Sequence, residues 1–158
     1  MITMRGLSRA IVDAVSSDTT FLALTNSLVG STFEYYVNVD LTELTDGVAL
    51  PYFSIVTFTD QDDIEIKKFF KTQILLGIER QKPVRVNNIT EEPSLDILEQ
   101  LSRKALDVIK SEIRTFGVQG DTNIRISFVN FYVPKPDGEV DLQMQIDLEF
   151  NQDKFLAC

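Results

Sequence analysis

The chain has 158 residues, of which 44% are hydrophobic and 25% charged, a balance typical of a folded domain and not of a disordered or fibrous chain. Its 24 acidic residues outnumber 15 basic residues, which form no stripe, so sequence-independent DNA binding is not expected. No apolar run approaches the roughly 18 residues that span a membrane, and the single cysteine, Cys158, excludes an intrachain disulfide. We predict a single domain over residues 1–158 and no membrane partner.

The first third of the chain predicts two helices and a strand. Apolar residues recur at helical spacing through residues 5–15. Asp18 then interrupts this pattern and can cap a short second helix that carries Phe21. Aromatic and β-branched residues predict a strand at 33–39, and Asp46 with the following glycine marks a turn in the polar loop after it.

The next segment predicts a long hairpin. Residues 50–59 are apolar on both faces, which indicates a central strand covered on both sides, with Pro51 tolerated at its start. The sequence DQDD at 60–63 predicts a turn. A second strand follows over 64–79, where isoleucine, phenylalanine and leucine recur in one phase of an alternating pattern.

The predicted strand 64–79 is long for a chain of this size. It would span about 50 Å, whereas a compact domain of this length has a diameter of about 40 Å. Either a bulge at KKFF, residues 67–70, folds the strand back, or the hairpin 52–79 projects as an arm. A projecting arm would bury its apolar side chains on another copy of the chain, arranged in a ring.

The second half of the chain predicts a helix and two strands. RQKPVRVNN, residues 80–88, leads out of the hairpin through a short strand. A helix is predicted at 94–114, with Thr90 or Ser94 as its cap and Glu91 and Glu92 complementing the helix dipole. Its apolar stripe contains Leu95, Leu98, Leu101, Ala105, Val108, Ile109 and Ile113, and Gly117 and Gly120 end it.

The chain closes with two predicted strands. The strand at 123–133 changes its apolar phase near Phe128 and Val129, which predicts a bulge. The strand at 140–150 alternates strictly between apolar and polar residues, which predicts an antiparallel sheet with one wet face. The fold class is therefore α+β: a mostly antiparallel sheet with a long hairpin, packed by an N-terminal helix and the helix at 94–114.

Few residue patterns point to chemistry. The absence of histidine removes the common general base and metal ligand, and no glycine-rich phosphate loop is present, so no cofactor is expected. Asp60, Asp62 and Asp63 could bind a hard cation through oxygen ligands, but they lack the glycine and distal glutamate of an EF-hand loop, so a solvated turn is the favoured interpretation and no metal site is predicted. Glu65 and Lys67 match half of a Mg²⁺-dependent nuclease motif, which would need an upstream carboxylate from Asp40 or Asp46.

The order of these elements resembles that of the tail terminator proteins of long-tailed bacteriophages, also called minor tail or tail completion proteins. The segments that carry the resemblance are GLSRAIVDAVSSD, LPYFSIVTF, DQDDIEIKKFFKTQILLGIE, PSLDILEQLSRKALDVIKSEI and GEVDLQMQIDLEF. They cover most of the chain. Head-to-tail joining proteins share much of this pattern, so the two groups are not separated by it.

The resemblance implies a structural role without enzymatic activity. Such proteins form a hexameric ring on the last ring of the tail tube, stop its polymerisation and offer a docking face to the head connector or neck protein. DNA passes through the hole without specific binding. The resemblance thus implies a protein assembled in the host cytoplasm and located in the virion, at the head-proximal end of the tail.

Two surfaces follow as hypotheses from this reading. The subunit or tube interface would contain Asp60, Asp62, Asp63, Ile64, Glu65, Ile66, Lys67, Lys68, Phe69 and Phe70. The wet face of the last strand would line the lumen through Asp141, Asp147 and Glu149. The alternative function is a small Mg²⁺-dependent nuclease, and a general interaction module is a third reading.

Overall fold

The computed structural model describes residues 4–41, 50–61, 68–115, 124–134 and 140–151. They form three helices, α1 (Met4–Ser17), α2 (Thr19–Leu28) and α3 (Ser94–Thr115). The strands are β1 (Glu34–Val37), β2 (Tyr52–Gln61), β3 (Lys68–Glu79), β4 (Val84–Val86), β5 (Ile89–Glu91), β6 (Ile124–Pro134) and β7 (Val140–Asn151). The predicted α+β class is confirmed, and none of these helices is both long and apolar enough to cross a membrane.

Five of the strands form one sheet in the order β1-β2-β3-β7-β6, and β4 with β5 forms a separate two-stranded sheet. β1 is parallel to β2, and the other pairings are antiparallel. β3 therefore lies in the middle of the main sheet, because β2 and β7 flank it. The sheet is mostly antiparallel, as the sequence predicts.

The register of the three middle strands places their apolar residues in rows. Ile74 of β3 is opposite Ile55 of β2 and Ile146 of β7, and all three are fully buried. The next row contains Phe53, Leu76 and Met144. These rows belong to one apolar cluster with residues of α1, α2 and α3, so the described helices cover one face of the sheet.

The N-terminal helices follow their sequence signals closely. Leu7, Ile11 and Val15 of α1 are buried in this cluster, as their helical spacing predicts. Asp18 is the N-cap of α2, since its carboxylate accepts a hydrogen bond of 2.7 Å from the backbone N–H of Phe21. Phe21 is fully buried and anchors α2 to the core.

The helix α3 matches the predicted span, but its first turn differs. Leu95 is exposed, and Ile97 enters the core in its place. The expected caps are wrong, because Thr90 lies in β5 opposite Arg85 and the Ser94 hydroxyl accepts from the backbone N–H of Gln81. The carbonyl of Pro93 accepts the first helical bond instead, from Ile97. Gly117 and Gly120 lie outside the described residues.

Three expectations about the strands are corrected by the register. Asp60 and Gln61 belong to β2, opposite Phe69 and Lys68, so the predicted turn at 60–63 does not begin at Asp60. β3 has continuous register with both neighbours, so no bulge occurs in Lys68–Phe70. The bulge predicted near Phe128 and Val129 is also absent, since β6 pairs with β7 without interruption.

The face of β2 turned away from the helices is buried at its first residues. Tyr52 is only 2% exposed, and its ring lies directly over Gly77 of β3. A Cβ at position 77 would overlap the ring carbons of Tyr52. Tyr36 of β1 contacts the same ring, with ring centroids 6.4 Å apart. The prediction that both faces of β2 are covered therefore holds at Tyr52. On the face away from the helices, the Tyr36 ring contacts the Tyr52 ring.

We expect Gly77→Ala to lower the free energy of unfolding by about 1–3 kcal/mol, because the added methyl group displaces the Tyr52 ring. Urea denaturation measures this change. In the Tyr52→Ala background the same substitution should cost much less, since the colliding ring is gone. An equal cost in both backgrounds would contradict the proposed overlap.

Candidate assembly surface

The predicted interface segment lies at the end of the β2–β3 hairpin. Its described residues are Asp60, which pairs in register with Phe69, and Lys68, which pairs with Gln61. Phe70 is opposite Thr59 on one side and Phe150 on the other. The remaining interface candidates lie outside the described residues: Asp62, Asp63, Ile64, Glu65, Ile66 and Lys67.

The hairpin does not project as an isolated two-stranded arm. β7 pairs with β3 from Glu79 to Phe69, and β6 extends the same sheet as far as Ile124 opposite Phe150. The described part of the hairpin is therefore part of a wider sheet. The expectation of a free arm is therefore wrong for the described residues. The alternative, a strand folded back at KKFF, is also wrong there, because Lys68–Phe70 pair with β2 without a break.

The far face of the main sheet, turned away from the helices, has no covering helix among the described elements. Val56, Gln73, Leu75 and Gln145 occupy adjacent register positions there, and each is half-buried. This part of the far face therefore combines aliphatic side chains with glutamines and is only partly covered. The alternation in β7 predicts this face correctly where side chains are described, at Met144, Gln145 and Ile146.

The three lumen candidates have different register neighbours. Glu149 lies between Lys71 of β3 and Arg125 of β6. Asp147 lies between Gln73 and Ser127, which are neutral.

Asp141 instead lies opposite Glu79, which is exposed, and Val133. The register thus places two basic residues beside Glu149, two neutral residues beside Asp147, and one acidic and one apolar residue beside Asp141.

The main sheet has open edges within the described residues. β1 pairs with β2 only as far as Val37 opposite Ile55. Beyond that point, no described strand pairs with Val56–Gln61 on the side of β2 away from β3. β6 is the last strand on the other side. Open edges present unpaired backbone donors and acceptors, which a strand from another chain can satisfy.

A chain of aromatic rings connects α2 to the sheet through β1. Ring centroids are 5.7 Å apart for Phe21 and Phe33, 6.5 Å for Phe33 and Tyr35, and 5.7 Å for Tyr35 and Phe53. The Tyr35 hydroxyl is buried, and it has no hydrogen-bond partner among the described residues. This burial raises the pKa of Tyr35 from 10.0 to about 12.

We expect Tyr35→Phe to raise the free energy of unfolding at neutral pH by about 1 kcal/mol, because it removes an unsatisfied buried hydroxyl. In the wild type, the free energy of unfolding falls as the pH rises from 10.0 towards about 12, because the unfolded chain releases the Tyr35 proton before the folded protein does. Below pH 10.0 this loss is absent. Chemical denaturation at a series of alkaline pH values should therefore show a smaller loss of stability in the variant. Identical pH profiles would contradict the buried neutral phenol.

The described residues offer little for catalysis. A shallow cleft of about 410 Å³ lies between the α1–α2 corner and α3 and is lined by Ala14, Ser17, Asp18, Thr19, Val108, Ser111 and Glu112. Asp18 is already engaged as the α2 cap. Within the described ranges, no three histidine, cysteine or acidic residues come together as a metal site.

The residues of the nuclease hypothesis are not brought together by the described part of the chain. Glu65, Lys67 and Asp46 lie outside it, and Asp40 is exposed after β1. The cation-binding reading of Asp60, Asp62 and Asp63 has only Asp60 among the described positions. Both readings stay predictions from the sequence.

The sequence reasoning missed one exposed element. Residues 80–88 predict a short strand, whereas the structure forms a complete hairpin from β4 and β5. Asn87 and Asn88 between two β-branched segments are the signal that identifies a tight turn, because asparagine tolerates positive φ.

No protein-family model matches this chain, and no curated protein is significantly similar to it.

Proposed function

We propose that this protein is a structural assembly protein of a phage or phage-like tail, which forms a ring, caps the tail tube and docks to the head connector. The proposal begins from the resemblance of the sequence to tail terminator proteins. The observation that supports it is the one-sided helix packing on the main sheet: the described helices lie on one face, and the described strands leave two edges unpaired. Proteins that assemble into rings need two complementary surfaces on each copy.

The proposed mechanism is capping by mismatch. One side of the ring would copy the surface that a tube subunit presents, so it binds the end of the tube. The other side would lack a further tube-binding surface, so growth stops there. The β2–β3 hairpin, from Asp60 to Phe70, is the proposed contact with the neighbouring subunit or the tube, and no catalytic step is involved.

The charge of the chain agrees with passage of DNA. A net charge of −9 on each copy gives a ring that repels phosphate, so DNA would slide through without binding. In this proposal Asp141, Asp147 and Glu149 supply the repulsion in the lumen.

We expect the purified protein to form rings, in isolation or on purified tail tubes. Native mass spectrometry should give a mass of six copies of the 17.9 kDa chain. Electron microscopy of tubes mixed with the protein should show closed ends that add no further tube subunits. A chain that stays monomeric with tubes present contradicts the proposal.

We expect Asp147→Lys to turn the lumen from repelling to retaining DNA. Binding of a short duplex, measured by fluorescence anisotropy at low salt, should tighten by about tenfold or more and disappear at high salt. Asp107→Lys is the matched control, since Asp107 is exposed on α3 and the charge change is the same. Equal DNA binding by both variants would remove Asp147 from the lumen.

A further inference from the structure

We draw no further inference here: the strongest candidate, the exposed apolar face that Val84, Val86 and Ile89 form on the β4–β5 hairpin before the start of α3, carries nothing, because nothing in the described part of the structure shows what covers it.

Discussion

The arrangement of the whole domain depends on the pairing of β3, which has β2 on one side and β7 on the other. Its register aligns Ile55, Ile74 and Ile146 in one row under the helices. Since side chains alternate along a strand, a slip of one residue would turn every one of these apolar residues to the opposite face. The burial of this row therefore fixes the position of each strand, and α1 and α3 pack on the surface that it creates.

The described helices cover only one face of this sheet. The far face carries Val56, Leu75 and Gln145 half-buried, and aromatic cover is concentrated where Tyr36 meets Tyr52 over Gly77. The hairpin of β4 and β5 adds a second exposed surface before the start of α3. Its apolar side chains, Val84, Val86 and Ile89, are each more than half exposed.

The sequence predicted the spans of the helices and strands better than it predicted which residues they pair with. The spans of α3 and β7 and the cap at Asp18 follow local signals, and each is found where the sequence indicates. The expected bulge near Phe128 is wrong because β6 has apolar residues at both parities, which resembles a change of phase when only one strand is considered. Ser94 satisfies the sequence criteria for a helix cap, but its hydroxyl instead accepts a hydrogen bond from the backbone N–H of Gln81.

By itself, the sequence determined the spans of the long helices and strands and most of their apolar faces, because those properties repeat every 3.6 or two residues along the chain. It also determined the excess of acid. Only the tertiary structure decided that β1 runs parallel to β2, that β7 lies between β3 and β6, and that β4 and β5 form an exposed hairpin while β2 and β3 belong to a wide sheet. These outcomes depend on pairing between residues far apart in the chain, and local periodicity shows that a face must be buried without showing which partner buries it.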